Sequence, residues 1–209
     1  MIILTVEKTK KWMNEIQKRM EANKEQLTVL DQAIGDGDHG INMERGFREV
    51  LAKISDTEYE SVADVLKSVA MTLTAKVGGA SGPLYGTAFL KMSMAMQGKE
   101  VDEIVFKTAV REAAEGIKMR GKAGMGEKTL YDVWNQVANF LAEEPAEDWD
   151  ALLEVCQATI EDTREMTATK GRASYLKERS KGHVDPGSMS SFYIFEALMT
   201  VMETGDGSE

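Results

Sequence analysis

The sequence predicts an all-α protein, and three observations lead to that prediction. Apolar residues recur at spacings of three and four along most of the 209-residue chain, as in helices with one buried face. The alternation of apolar and polar residues that marks strands is nearly absent. Most of the 18 glycines fall into four clusters between the helical segments, at 35–40, 78–86, 121–126 and 182–187. We therefore expect roughly seven or eight antiparallel helices joined by glycine-rich loops.

The predicted helices follow one another along the chain. The first has one apolar face, formed by Val6, Met13, Ile16 and Met20. The second follows the turn at 35–40 and carries Ile41, Met43 and Phe47. The same spacing recurs in the segments 59–76, 84–97, 101–119, 129–142, 148–169 and 188–203. We expect residues 1–209 to form one domain, with a frayed tail from about residue 204.

Composition excludes several classes of protein. The chain has 25 Lys and Arg against 35 Asp and Glu, and its formal net charge is −10. Nucleic-acid binding needs clustered cations, so we expect no nucleic-acid partner. No stretch approaches the roughly 20 apolar residues of a membrane span, and the N-terminus lacks the features of a secretory signal. The single cysteine, Cys156, cannot form an intrachain disulfide, so we expect a cytoplasmic protein without a membrane partner.

An acidic turn is the first candidate site. Asp31, Asp36 and Asp38 fall within the glycine-rich segment 31–40. Hard divalent cations prefer such oxygen ligands, and Mg²⁺ commonly takes its remaining ligands from water and substrate phosphates. The alternative is a solvated polar turn, since Asp and Gly are common in turns. A calcium-binding EF-hand loop is excluded, because it would place Ile41 where glycine is required and Phe47 where glutamate is required.

The two histidines offer weaker signals. His39 lies beside the three aspartates, where it could donate to a phosphate, and His183 lies in another glycine cluster and could act in the same way. A lone histidine is more often structural than catalytic. Two histidines and one cysteine argue against a zinc site.

Residues 78–87 form a candidate anion-binding loop directly ahead of a predicted helix. The free amides of a helix N-terminus, together with the Ser81 hydroxyl, would cradle a phosphate. Pro83 agrees with a helix that begins there. The alternative is a simple corner between two helices.

Residues 121–129 come close to a P-loop but do not form one. Glu127 separates the glycine from the lysine that should follow it directly, and no strand precedes the segment. Lys128 and Thr129 could still contact a nucleotide at the start of a helix. The basic stretch at 170–187 is either a further phosphate contact or a solvated connector.

Five segments taken together resemble the nucleotide-binding L subunit of dihydroxyacetone kinases. They occur in the family's order and span nearly the entire chain: DQAIGDGDHGIN (31–42), GGASGP (78–83), GEKTLYD (126–132), KGRASYL (170–176) and GHVDPG (182–187). The resemblance implies an antiparallel eight-helix barrel with the nucleotide at one rim.

The resemblance also implies a role for each matching residue. Asp31, Asp36 and Asp38 would hold two Mg²⁺ ions and be the catalytic residues. The residues that would contact the phosphates are His39, Gly40, Ile41, Asn42, Ala80 and Ser81. Gly121 and Leu130 would line the nucleoside pocket. The residues that would complete the site are Arg172, Asp185, Pro186 and Gly187.

The function implied by the resemblance is phosphoryl transfer. Tightly bound ADP would be rephosphorylated in place by a phosphohistidine-bearing M subunit, and the phosphoryl group would pass to dihydroxyacetone held on a separate K subunit. One alternative is an L subunit that exchanges free ATP and serves another small ketose or polyol. A second is a regulatory module whose binding depends on its ADP or ATP state. Recognition of the acceptor would lie on the K subunit, and a homodimer is left open.

Overall fold

The described part of the chain is almost entirely helical, as predicted. The structure, a computed structural model, describes residues 2–146 and 148–204. Within these ranges the α-helices are α1 (Val6–Ala22), α2 (Lys24–Ile34), α3 (His39–Ile54), α4 (Val62–Lys76), α5 (Ser81–Met96), α6 (Glu103–Gly121), α7 (Leu130–Glu143), α8 (Trp149–Glu165) and α9 (Pro186–Glu203). A 3-10 helix covers Arg172–Ser180, and the two strands are β1 (Ile2–Leu4) and β2 (Val101–Asp102).

The helix α2 and the paired strands β1 and β2 differ from the predicted elements. The segment between the first predicted helix and the turn at 35–40 forms a helix of its own, α2, after α1 ends at Asn23. The strands β1 and β2 pair antiparallel, and β2 occupies the start of a segment predicted to be wholly helical. Strands of three and two residues are too short to show a period-two alternation, so the sequence pattern could not reveal them.

Most helices begin with a side-chain cap. Six helices have an N-cap oxygen that accepts a hydrogen bond from a backbone amide of the first turn, at Thr5, Ser61, Asp102, Thr129, Asp148 and Asp185. The helices without such a cap are α2, α3 and α5. Uncapped helix starts leave N–H groups available to another acceptor.

The helices pack in a closed circuit. Each of α3 to α9 contacts the helix before it, α9 returns to α1, and α1 packs against α3, while α2 lies against α3 and α9. The contact between α4 and α5 is especially close. A Cβ at Gly86 would collide with the Thr74 hydroxyl. The number of helices in the barrel implied by the resemblance stays a prediction.

One hydrophobic cluster runs through the interior, from Leu4 to Val201. Aromatic rings join its parts: Phe89 lies 5.7 Å from Trp12 and 6.4 Å from Phe47 between ring centroids. The indole N–H of Trp12 donates to the Ile194 carbonyl at 2.8 Å and ties α1 to α9. These contacts lock the first and last helices together.

In the described ranges, no helix combines the length and apolar character needed to cross a membrane. The frayed tail predicted from about residue 204 lies outside the described residues beyond Thr204. That residues 1–209 form one domain stays a prediction.

We expect Phe89→Ala to lower the free energy of unfolding by about 3–5 kcal/mol, because a fully buried ring would be replaced by a cavity between α1, α3 and α5. Val29→Ala on α2 is the control: that side chain is 61% exposed, and its loss should change stability by less than about 0.5 kcal/mol. Chemical denaturation measures both. A loss below about 1 kcal/mol for Phe89→Ala would contradict this packing.

Candidate functional site

Four helices begin at the wall of one open cleft. Their first residues line it: His39 of α3, Ser81 of α5, Leu130 of α7 and Pro186 of α9. A helix N-terminus carries a partial positive charge and unpaired N–H groups, so each favours an anion. The starts of α3 and α5 lack side-chain caps, which makes these two the best placed to bind one.

The three aspartates predicted as metal ligands come together in this cleft. Asp31 lies in the last turn of α2, and Asp36 and Asp38 lie on the turn before α3. One carboxylate oxygen from each lies within 4.8 Å of the others. Asp31 is 8% exposed, and its Oδ2 accepts hydrogen bonds from the backbone N–H groups of Asp38 (2.9 Å) and His39 (3.1 Å). This set of oxygens fits a hard divalent cation such as Mg²⁺.

Two cations approach the cleft from the segment that follows α8. Arg172 donates to Asp36 Oδ2 across 2.9 Å, and the Lys170 amine lies 3.8 Å from Glu127 Oε1. Both pairs are at least partly exposed, and exposed pairs stabilise a fold by at most about 1 kcal/mol. Arg172 can therefore leave Asp36 for a stronger partner at little cost.

His39 is buried at the base of the cleft. Burial lowers the pKa of its imidazole to about 4, although the nearby Asp31 carboxylate opposes the shift. The ring is therefore neutral at neutral pH. Both nitrogens contact hydroxyl groups, Nδ1 at 3.1 Å from Ser81 Oγ and Nε2 at 2.9 Å from Ser190 Oγ. The neutral ring can therefore affect a ligand in the cleft through its contact with the Ser81 hydroxyl.

Asp185 caps α9 at the cleft wall. Its Oδ2 accepts from the backbone N–H of Ser188 at 2.6 Å and from the Ser188 hydroxyl at 2.9 Å. Burial raises the pKa of the Asp185 carboxyl to about 7, while the bonds from Ser188 oppose the shift. The carboxylate fixes the start of α9, which presents Pro186 and Gly187 to the cleft.

Lys128 is buried, whereas the sequence left it as a possible nucleotide contact. The residue is 1% exposed, and its ammonium lies within hydrogen-bond distance of four backbone carbonyls, those of Thr163 (2.6 Å), Met166 (3.3 Å), Ser180 (2.8 Å) and His183 (2.6 Å). The residue lines the cleft, but carbonyl oxygens surround its amine. It fastens the segment that carries Arg172 to the start of α7.

The cleft brings together most of the residues that the sequence singled out. Those that line it are Asp31, Asp36, Asp38, His39, Asn42, Ala80, Ser81, Leu130, Arg172, Asp185, Pro186 and Gly187. Gly121 lines an adjoining pocket that shares Leu130, Leu84 and Ala80 with the cleft.

Gly40 and Ile41 do not line either pocket. Gly40 packs against α2, where any Cβ would collide with the Lys24 carbonyl oxygen and crowd the Thr28 hydroxyl. Ile41 is 51% exposed. The glycine therefore serves the close approach of α3 to α2.

Sequence reasoning missed a buried polar group behind the cleft, formed by Tyr85, Trp134, Ser190 and Ser191. These residues occupy ordinary helical positions, and no local motif marks them. Only the packing of α5, α7 and α9 reveals that their polar atoms meet.

The fold and the cleft define a class of protein. A helical domain in which uncapped helix starts and a carboxylate cluster share one cleft suits a polyphosphate bound together with divalent cations. The carboxylates would repel a bare polyphosphate, so the cations are required between them.

Comparison with known families agrees with that class and makes it specific. The family model described as the DAK2 domain matches residues 33–200, and the chain belongs to this family. The ADP-binding subunit DhaL of PEP-dependent dihydroxyacetone kinase 1 from Listeria innocua is 48% identical, over 90% of this chain and 93% of that subunit. The ADP-binding subunit DhaL of PTS-dependent dihydroxyacetone kinase from Lactococcus lactis is 44% identical, over 96% of this chain and all of that subunit.

A solved structure has the same fold. The crystal structure of the dihydroxyacetone kinase from C. freundii in complex with AMP-PNP and Mg²⁺ superposes with a TM-score of 0.70 and 23% identity. The match covers 93% of this chain and 33% of that kinase. This chain therefore spans about a third of the larger protein.

We expect Lys128→Met to lower the free energy of unfolding by about 2–4 kcal/mol, because four carbonyls would lose their shared donor. Lys122→Met is the matched control. Lys122 is also a left-handed lysine, with a φ of 51° against 62° for Lys128, but it is exposed at the end of α6. Thermal unfolding and limited proteolysis at 166–183 measure the difference. Equal stability of the two variants would show that the carbonyl contacts contribute little.

Proposed function

We propose that this chain is the cytoplasmic ADP-binding subunit of a dihydroxyacetone kinase and forms a single nucleotide-binding domain. The observation that carries the proposal is the meeting of three carboxylates with the uncapped starts of α3 and α5 in one cleft. The names of the relatives from Listeria innocua and Lactococcus lactis support ADP as the nucleotide.

In this proposal Asp31, Asp36 and Asp38 hold two Mg²⁺ ions. When bound, the ions would neutralise phosphate charge, which phosphoryl transfer requires more than covalent help. The backbone hydrogen bonds to Asp31 keep one carboxylate fixed, while the exposed Asp36 and Asp38 can adjust to the ions. The fixed carboxylate sets the position of the whole cluster.

The chain's own donors orient the phosphates. The start of α5 and the Ser81 hydroxyl line the cleft, and Asn42 lies one turn into α3. Arg172 reaches Asp36 from the opposite rim and would turn to a phosphate oxygen once the carboxylates hold cations. An arginine so placed stabilises charge that develops during transfer.

The adjoining pocket suits the nucleoside. Its wall contains Pro83, Leu84, Ile117 and Leu130, an apolar surface on which a base can pack. A Cβ at Gly121 would lie 3.2 Å from Leu84 Cδ2, so a side chain there would narrow the pocket. Asp185, Pro186 and Gly187 line the cleft beside this pocket, and a Cβ at Gly187 would lie 3.1 Å from Leu130 Cβ.

Partner subunits complete the reaction. We infer a K subunit that holds dihydroxyacetone and an M subunit that carries a phosphohistidine, in line with the PEP-dependent and PTS-dependent systems named for the relatives. A homodimer stays a prediction. Neither nucleic acid nor membrane takes part.

The identity of the resident nucleotide tests the proposal. The protein is purified without added nucleotide and denatured, and the released molecules are separated by anion-exchange chromatography. Near-stoichiometric ADP is expected, and it would mean a resident cofactor recharged by a phosphoprotein. A nucleotide-free protein that turns over ATP with a K subunit would indicate free ATP exchange. A protein that binds nucleotide without any transfer would overturn the kinase role in favour of regulation.

We expect Asp36→Asn to lower phosphoryl transfer by on the order of 100-fold or more, because one metal-binding carboxylate is lost while the fold is kept. Asp56→Asn, which changes an exposed acid in the turn after α3, is the control and should leave transfer unchanged. The assay supplies K and M subunits and phosphoenolpyruvate, and circular dichroism monitors folding. An active Asp36→Asn protein would refute the metal assignment.

A further inference from the structure

A chain of hydrogen bonds runs from the cleft into the core. Ser81 Oγ lies 3.1 Å from His39 Nδ1, and His39 Nε2 lies 2.9 Å from Ser190 Oγ. Ser190 Oγ lies 2.6 Å from the Tyr85 hydroxyl, which lies 2.9 Å from Ser191 Oγ. The Trp134 indole N–H donates to Ser191 Oγ at 3.1 Å. The chain thus joins α3, α5, α7 and α9 near their starts.

The inner part of this chain is closed to solvent. Tyr85, Trp134, Ser190 and Ser191 are all 0% exposed, and none of them lines the cleft. Only Ser81 and His39, at its outer end, reach the cleft wall. Because buried polar groups must keep their partners, removal of the Ser190 hydroxyl would leave His39 with one of its two ring contacts.

Only the Trp134 end has a fixed direction, because the hydroxyls of Tyr85 (2.9 Å), Ser190 (3.1 Å) and Ser191 (2.8 Å) can each donate to the Gly187 carbonyl instead of to the next hydroxyl. An indole N–H can only donate, and a neutral imidazole has one donor and one acceptor nitrogen. In one continuous arrangement the Trp134 indole donates to Ser191, and the Ser191 hydroxyl donates to Tyr85. The Tyr85 hydroxyl then donates to Ser190, and the Ser190 hydroxyl donates to His39 Nε2. His39 Nδ1–H then donates to Ser81, whose own O–H is left to point into the cleft.

We propose that His39, Ser190 and Tyr85 are positioning residues that hold the Ser81 hydroxyl as a hydrogen-bond donor toward a phosphate oxygen, with the His39 proton on Nδ1. The inference rests on the proposed function, because it assigns the anion in the cleft to the bound nucleotide. It places His39 behind the phosphate contact rather than in it.

The opposite arrangement would give Ser81 a different role. With the proton on Nε2, His39 would donate to Ser190, and Ser190 would donate to Tyr85 or to the Gly187 carbonyl, which lies 3.1 Å away. Ser81 would then donate to Nδ1 and present only lone pairs to the cleft. Lone pairs repel a phosphate oxygen, so this arrangement disfavours the ligand that the surrounding amides favour.

The tautomer of His39 tests the proposal without any ligand. Long-range ¹H–¹⁵N NMR at neutral pH distinguishes a protonated from an unprotonated ring nitrogen, and a His183→Gln variant assigns the signals because only two histidines exist. A protonated Nδ1 and an unprotonated Nε2 are expected for His39. A proton on Nε2 would overturn the proposal.

Nucleotide affinity tests the action on Ser81. Ser190→Ala removes the contact to His39, whereas Ser191→Ala is the matched control, since both serines are fully buried and both contact Tyr85 and the Gly187 carbonyl. We expect Ser190→Ala to weaken ADP–Mg²⁺ binding about three- to tenfold and Ser191→Ala by less than about twofold. Isothermal titration calorimetry measures both, and thermal unfolding compares their stability.

A double variant distinguishes an effect of Ser190 that acts through Ser81 from a general loss of structure. If Ser190 acts through Ser81, adding Ser190→Ala to Ser81→Ala should weaken ADP binding by no further measurable factor. An additional loss equal to that of Ser190→Ala alone would overturn the proposal. If the unaltered protein bound no ADP, the proposed function would fail. The NMR result would still decide which nitrogen of His39 carries the proton.

Discussion

The convergence of four helix starts on one cleft is the constraint on which the rest of the structure depends. Each start brings unpaired N–H groups and a partial positive charge into the same small volume. The side chains around the cleft satisfy part of this donor excess: Asp185 caps α9, the Thr129 hydroxyl caps α7, and Asp31 accepts from the amides that precede and begin α3. The excess left at α3 and α5 is what an anion would use.

The carboxylates of Asp31, Asp36 and Asp38 and the cationic Arg172 both affect how the cleft can hold an anion. A chain with a net charge of −10 must not repel a polyphosphate, and in this cleft its carboxylates are gathered where cations can neutralise them. In the structure Arg172 supplies such a cation to Asp36. Because this pair is exposed, exchanging one cation for another costs little free energy.

Buried polar groups hold the cleft together from behind. The Lys128 ammonium contacts one carbonyl at the end of α8 and three from the segment that carries Arg172. The hydroxyls of Tyr85, Ser190 and Ser191 join α5 to α9. No described side-chain nitrogen or oxygen is buried without a partner. Such networks favour a single arrangement, since any slip would leave a polar group unpaired in the interior.

The sequence by itself determined the helical class, the glycine-rich loops and the acidic turn, because periodicity and local composition act over a few residues. It could not reveal α2 as a separate helix or the short pairing of β1 with β2, whose local signals are weak. Likewise, the resemblance gives Gly40 a phosphate contact that stays a prediction, and only the structure shows that this glycine permits the close approach of α3 to α2. The tertiary structure alone decided that Lys128 fastens a loop and that His39 lies between two serines, because those contacts join residues far apart in the chain.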